Sequence, residues 1–154
     1  MARQVFFSFD HDDDIWRANQ VRNANVVAGP HLAGFIDYSE YEGAEKAGKD
    51  GIQRMILSHL KDTTVTVVLI GTNTASRPWV KYEIEQSIAH KNGLLGIYIH
   101  HLKDAHKRVS SRGDKPAVPK GVDFPAYDWD KDLDRFRKAI EAAGKRAEAL
   151  RAAK

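Results

Sequence analysis

The sequence of 154 residues contains no cysteine and no long apolar run. Without cysteine, the chain can form neither a disulfide bond nor a thiolate that acts as nucleophile or metal ligand. Its apolar runs reach about six residues, whereas a membrane-spanning helix needs about 20. The first four residues also lead straight into a strand-like segment. We therefore expect no signal peptide and no transmembrane helix, and predict a cytoplasmic protein that does not bind membranes.

An excess of charge of one sign is also lacking. The sequence has 24 Lys and Arg against 21 Asp and Glu, a formal net charge of +3. This balance permits an anionic ligand but does not indicate a nucleic-acid partner. The length fits about one domain with a proper core. The fractions of apolar (42%) and charged (29%) residues are ordinary for a globular protein, which argues against a disordered chain.

Short apolar segments alternate with helical patterns along the chain. This alternation predicts an α/β, flavodoxin-like, doubly wound sheet of about five mostly parallel strands flanked by helices. The predicted strands are residues 5–9, 32–38, 64–70, 94–99 and, as an edge strand, 124–129.

A strand order of 2-1-3-4-5 would place the topological switch point between the first and third predicted strands. Ligands bind at such a point, outside the carboxyl ends of the strands. No glycine-rich phosphate-binding motif follows the first strand, so an ordinary dinucleotide-binding Rossmann domain is not expected. Residues 39–49 are polar and lack a core pattern, and we predict that they form a flexible lid over the crevice.

One helix combines an aromatic residue with a carboxylate near the predicted crevice. We expect Ser76 as its N-cap and Pro78 within its first turn. Trp79 and Glu83 are four residues apart and share a face, beside the core-facing positions 80, 84 and 88. Taken alone, Trp79 would be interpreted as a core aromatic residue and Glu83 as an exposed helix residue.

The acidic cluster at residues 10–14 follows the first predicted strand. It is interpreted either as capping of the next helix, with favourable charges at its N-terminus, or as a Mg²⁺ or phospho-acceptor site. Phe9 before it is a core residue by default. His100, His101 and His106 lack ligand spacing to carboxylates, so no metal site is predicted.

The C-terminal third of the chain divides into a basic loop and a helix. Residues 101–121 carry six Lys and Arg, which indicate either a solvated loop or a cationic rim that steers anions. We predict one domain over residues 1–143, with this loop as an insertion. Residues 144–154 would form a helical extension, either a frayed tail or a partner surface.

Three motifs, VFFSF at 5–9, GFID at 34–37 and WVKYE at 79–83, resemble those of the TIR fold. A closer resemblance, to the TIR-like group of the bacterial Thoeris anti-phage defence system, is carried by WRANQVRN at 16–23, VLIG at 68–71 and RPWVKYEI at 77–84. The resemblance covers roughly residues 4–100. The order of the motifs on successive strands makes their combination specific.

This resemblance implies an enzyme of the NAD⁺ glycohydrolase or ADP-ribosyl cyclase type. Such an enzyme cleaves the nicotinamide–ribose bond of NAD⁺, and the Thoeris group converts the ADP-ribose part into a signalling nucleotide that activates a separate effector protein. NAD⁺ would be the substrate, no cofactor or metal is expected, and activation can involve homo-oligomerisation. The resemblance makes Glu83, the last residue of the W-x-x-x-E motif, the catalytic residue.

The predicted substrate contacts come from the strand ends and from the helix that carries Glu83. The resemblance implicates Ser8, Phe9 and Asp10 at the end of the first strand. Asp10 and Asp37 could hold ribose hydroxyls, Arg77 could bind the pyrophosphate, and Trp79 could stack on a ring or exclude water. Asp37 could instead cap a turn. Tyr38 completes the predicted set. Two alternatives are a non-catalytic TIR interaction module that uses the 39–49 loop, and a receiver-like phospho-acceptor domain.

Overall fold

A parallel sheet forms the centre of the fold. The computed structural model describes residues 4–24, 36 and 38–153, with only the backbone described at Ala24 and Tyr38. In this part of the chain the sheet has four strands in the order β1-β2-β3-β4, and every neighbouring pair is parallel. The strands are β1 (Val5–Ser8), β2 (Val65–Ile70), β3 (Gly93–Tyr98) and β4 (Ala126–Asp128).

The predicted α/β class is confirmed, and four of the five predicted strands are present. They correspond to predicted strands 1, 3, 4 and 5 and lie side by side in that order, as in the predicted 2-1-3-4-5 arrangement. The predicted strand at 32–38 lies outside the described residues, apart from Ile36 and Tyr38. At Tyr38 the prediction is wrong, because this residue begins a helix.

Five helices accompany these strands in the described ranges. They are α1 (Ile15–Ala24), α2 (Tyr38–Glu45), α3 (Gly48–Leu60), α4 (Pro78–Ala89) and α5 (Leu133–Ala152), with a short 3₁₀ turn at Thr74–Ser76 before α4. Pro78 occupies the first turn of α4 as predicted, where its missing N–H leaves no hydrogen bond unmade. The N-cap is the extended residue Arg77 rather than Ser76, whose hydroxyl donates to the Asn73 carbonyl.

The predicted flexible lid is helical, which corrects the interpretation of residues 39–49. Helix α2 occupies most of this segment and α3 begins at Gly48. Tyr41 and Ala44 are three residues apart, so a helix places them on one face. Both pack against a buried cluster that includes Phe6 and Ile36. The packing of Tyr41 and Ala44 therefore stabilises a helix that the polar composition of this segment does not predict.

Alternation along the strands divides the core into two layers. Odd-numbered residues of the first strand point to α1 and α5, whereas even-numbered residues point to α3 and α4. The first layer includes Val5, Phe7, Phe9, Ala18, Val21, Phe136 and Ile140. The second layer consists of two clusters, one around Phe6, Ile52 and Ile56 and one around Val68, Ile70, Val80 and Ile84. Ser8 therefore faces the same layer as α4.

Helix α5 packs along the sheet from its first half to its last turns. The Gly93 Cα approaches the Ala143 carbonyl so closely that an added Cβ would lie 1.9 Å from its oxygen, so only glycine fits there. Arg146 donates to the Leu94 carbonyl at 2.6 Å, and Ala147 is buried. Residues 144–152 are thus helical and docked, while the proposed domain division at residue 143 stays a prediction. No helix within the described ranges is both long and apolar enough to cross a lipid bilayer.

Candidate functional site

The side chain of Glu83 is buried at the end of the first strand. Helix α4 begins at the carboxyl edge of the sheet, and Ser8 is the last residue of β1. The Ser8 hydroxyl donates a hydrogen bond of 2.7 Å to Oε1 of Glu83. Only 2% of the Glu83 surface is exposed, so the interpretation of this residue as an exposed helix position is wrong.

Burial changes the acid–base chemistry of this carboxyl group. It raises the pKa of Glu83 from 4.5 to about 8, and the hydrogen bond from Ser8 offsets part of this rise. The carboxyl is therefore mostly protonated at neutral pH until a positive charge approaches. In its protonated form such a carboxyl can donate a proton, and in its ionised form it can accept a proton or stabilise a cation, which are the roles of a catalytic carboxyl.

A column of three aromatic rings stands beside the carboxyl edge of β1. The His11 ring stacks on Phe9, with centroids 4.1 Å apart, and on Tyr41 of α2, with centroids 4.5 Å apart. His11 Nε2 also donates to the Ile36 carbonyl at 3.0 Å. Burial, together with the charges of Glu45 and Glu83, raises the pKa of Tyr41 to about 12.

Neither His11 nor Tyr41 was predicted as a site residue from the sequence. His11 lies inside the acidic cluster, where the carboxylates dominated the interpretation. Tyr41 lies in the segment that was predicted to be a loop. The spacing of Tyr41 and Ala44 was the available signal for a helix with one apolar face.

Asp10 and Arg77, both predicted to contact substrate, contact each other. Arg77 Nε donates to Oδ2 of Asp10 at 2.7 Å, and its Nη2 donates to Oδ2 of Asp13 at 2.9 Å. The other Asp10 oxygen accepts the backbone N–H groups of Asp12 and Asp13. These bonds stabilise the turn that precedes α1, whose first helical turn contains no acidic residue, so they are not bonds to the N-terminal N–H groups of that helix. Any anion that binds Arg77 must share it with two carboxylates.

The remaining predicted substrate contacts differ in how far their side chains are buried. Phe9 is buried in the layer of α1 and α5, so its ring lies in the core. Trp79 is half-buried, packs against the cluster around Phe6 and meets Tyr82 edge to face at 5.6 Å. Trp79 thus serves the core through at least part of its ring. Asp37 lies outside the described residues, and Tyr38 is described only as the first residue of α2.

A buried arginine anchors the basic loop after β3. Arg17 donates to the carbonyls of Leu102 and Arg108 and to Oδ1 of Asp14, at 2.8, 3.0 and 2.8 Å. Burial raises the pKa of Asp14 to about 6. The second Asp14 oxygen lies against Gly71, where an added Cβ would be only 2.0 Å away. The loop backbone is therefore fastened to the carboxyl edge of the sheet, while Lys103 and the Arg108 side chain point to solvent.

The structure thus brings Ser8 and Glu83 together, and pairs Asp10 with Arg77 at the same edge of the sheet. Ring contacts link Phe9 through His11 to α2. Among the described residues, His, Asp and Glu side chains form no group of three that could surround one metal ion.

Comparison with known proteins gives two matches. Residues 6–104 match the family described as the TIR-like domain of the Thoeris protein ThsB. Over 134 residues, the chain is 40% identical to a Bacillus cereus (strain MSX-D12) protein named "Putative cyclic ADP-D-ribose synthase ThsB1". The aligned part comprises 86% of this chain and 67% of that relative.

Proposed function

The chain belongs to the family of TIR-like domains of the Thoeris protein ThsB, and we propose that it cleaves the nicotinamide–ribose bond of NAD⁺. Glu83 is the proposed catalytic residue. The observation that carries this proposal is the burial of its carboxyl group, hydrogen-bonded to Ser8 at the end of β1.

The chemistry of NAD⁺ explains why a single carboxylate suffices. Ordinary glycosidases need a second acid to protonate the departing oxygen. In NAD⁺ the bond between ribose C1′ and the pyridinium nitrogen breaks with its electron pair moving to nitrogen, so nicotinamide leaves neutral. What remains is an oxocarbenium-like ribosyl cation, which the ionised Glu83 carboxylate stabilises electrostatically.

Binding of the cationic nicotinamide ring would also favour the ionised carboxyl group. A positive charge near a buried acid lowers its pKa, which counteracts the effect of burial. Glu83 would then be ready to accept the proton released when a nucleophilic hydroxyl attacks C1′. Burial also keeps water from the ribosyl cation. Water that reached this cation would give free ADP-ribose instead of the proposed product.

The proposed product is a signalling nucleotide derived from ADP-ribose. The name of the Bacillus cereus relative favours an intramolecular nucleophile and a cyclic product over a conjugate. In a Thoeris system this product would activate a separate effector protein, which gives the chain a role in defence against phage. NAD⁺ is therefore the direct partner, and the effector is reached only through the product.

Mass spectrometry of the nucleotides made from NAD⁺ tests this function. We expect the wild type to release nicotinamide and an ADP-ribose derivative, and Glu83→Gln to release neither while retaining its fold. Histidine and other nucleophiles are offered as acceptors, so that a conjugated product is distinguished from a cyclic one. Full turnover by Glu83→Gln would overturn the assignment.

A matched control is available two positions along the same helix. Glu85 is exposed, so Glu85→Gln makes the same chemical substitution on α4 without altering the buried carboxyl. This variant should turn over NAD⁺ at the wild-type rate. Because assembly can be needed for activity, the proteins are compared at several concentrations, up to those at which they self-associate.

A further inference from the structure

The His11 side chain contacts three separate parts of the fold. One face of its ring packs on Phe9 after β1, and the other on Tyr41 of α2. Its Nε2–H bonds to the Ile36 carbonyl. We propose that His11 is a positioning residue that holds α2 against the end of β1, so that Tyr41 closes one side of the Glu83 site; its catalytic consequence rests on the function proposed above.

Geometry supports a specific tether rather than general packing. The rings of His11 and Tyr41 are within 13° of parallel, and those of His11 and Phe9 within 27°. Both faces and one edge of the imidazole are therefore in use. Only 7% of the His11 surface is exposed, so these contacts are made away from competing water.

The identity of the residue also fits this role. Burial lowers the pKa of His11, so the neutral imidazole is favoured and its desolvation is a cost to the fold. Phenylalanine would supply both ring contacts without that cost. The imidazole adds a directional hydrogen bond to Ile36, which lies in the same cluster as Phe6. One side chain thus contacts α2 through the ring stack with Tyr41 and contacts Ile36, two positions before that helix, through its N–H group.

The contact between His11 and α2 reaches the candidate site through Tyr41. Tyr41 packs against the same cluster as Trp79 and Tyr82, which lie four residues and one residue before Glu83 on α4. The Glu83 carboxylate also contributes to the raised pKa of the Tyr41 phenol. The Ser8–Glu83 hydrogen bond does not involve His11. Loss of His11 should therefore loosen the packing of Tyr41 beside the site and weaken substrate binding, while the Glu83 carboxyl stays in place. We expect a higher KM and a nearly unchanged kcat.

Hydrogen–deuterium exchange of the α2 amides tests the tether without requiring activity. His11→Ala should accelerate exchange in Tyr38–Glu45 at least about tenfold, which is the effect of losing about 1.4 kcal/mol of local stability. His11→Phe keeps the stack but not the N–H donor, and should recover part of the protection. Exchange in the sheet and in α5 should change little.

Trp129→Leu is the control for general destabilisation. Trp129 is a buried ring in the opposite layer, against Phe136, and lies outside the cluster that contains Tyr41. This variant should lower global stability without selective loss of protection in α2. If His11→Ala leaves α2 protected, or if it accelerates exchange equally throughout the chain, the tether is disproved.

Steady-state kinetics and NAD⁺ binding then test the link to the site. Binding is measured on a Glu83→Gln background, where no turnover interferes, and adding His11→Ala should weaken it about tenfold. A fall in kcat without a change in KM or binding would contradict the positioning role. Absence of NAD⁺ turnover by the wild type would instead refute the proposed function, leaving exchange in α2 to decide on the tether.

Discussion

The Ser8 hydroxyl lies 2.7 Å from the Glu83 carboxyl oxygen, although 75 positions separate the two residues in the sequence. The parallel sheet brings them together, because the end of β1 and the start of α4 meet at its carboxyl edge. Within the part of the chain that the structure describes, the Ser8 hydroxyl is the group that lowers the pKa of Glu83 against the effect of burial. The ionisation of the candidate catalytic residue therefore depends on this hydroxyl.

Replacing this hydroxyl should move the pH dependence of catalysis. For the wild type, kcat/KM should rise with pH through a midpoint at about 8, as the free carboxyl ionises, and become level only at higher pH. Ser8→Ala should move the midpoint upward by about one pH unit, since a hydrogen bond to a charged group contributes roughly 1.5–3 kcal/mol. The measurement is NAD⁺ consumption across the pH range.

Ser87→Ala provides the control for that experiment. The Ser87 hydroxyl donates to the backbone carbonyl of Glu83, not to its carboxyl group. Its removal should lower stability but leave the midpoint where it is. An unchanged midpoint in Ser8→Ala would show that ionised Glu83 does not limit the reaction.

The raised pKa of Glu83 also predicts how stability depends on pH. The folded protein prefers the protonated carboxyl, so this contribution is fully present below the unfolded pKa of about 4.5 and is lost as pH rises to about 8. Glu83→Gln cannot ionise. The melting temperature of this variant should exceed that of the wild type by an amount that grows from about pH 5 to pH 8. A constant difference across this range would contradict the assigned pKa.

Removal of Arg17 should be among the most destabilising changes. It would leave the buried Asp14 carboxylate without its partner and release the Leu102 and Arg108 carbonyls. Breaking a buried ion pair typically costs about 3–5 kcal/mol. Arg137→Ala breaks an exposed pair with Asp134 and should cost less than about 1 kcal/mol. Urea denaturation of both variants measures the difference, and equal midpoints would exclude an anchoring role for Arg17.

Arg77→Lys should separate the structural role of this residue from a role in substrate binding. Lysine keeps the charge but loses the forked guanidinium that contacts Asp10 and Asp13 together. If Arg77 also binds the pyrophosphate, KM for NAD⁺ should rise severalfold with little change in kcat. A loss of thermal stability with unchanged KM would assign Arg77 to the fold alone.

Most of the fold could be predicted because its signals are local. The strands buried on both faces are continuous apolar runs, and helices α3 and α5 have clear apolar stripes. Helix α2 was missed because only Tyr41 and Ala44 mark its buried face, in an otherwise polar segment. Its helical state depends on a cluster supplied by Phe6 and Ile36, which no local pattern reveals.

The environment of the candidate site could not be predicted from the sequence. The motif that contains Trp79 and Glu83 points to α4, yet its spacing indicates a face beside the core. The burial of Glu83 depends on where β1 ends, and the pairing of Asp10 with Arg77 joins positions 67 residues apart. Such contacts depend on strand register, which the sequence of either segment alone does not determine.

The protonated Glu83 carboxyl should couple ligand binding to the release of a proton, which calorimetry can detect. A cationic nicotinamide ring beside this group would expel its proton, so near neutral pH each binding event should transfer a fraction of a proton to the buffer. The observed heat would then differ between buffers in proportion to their ionisation enthalpies. In the proposed function, the burial of one side chain would thus make the binding of NAD⁺ an exchange of a proton for a cationic ring.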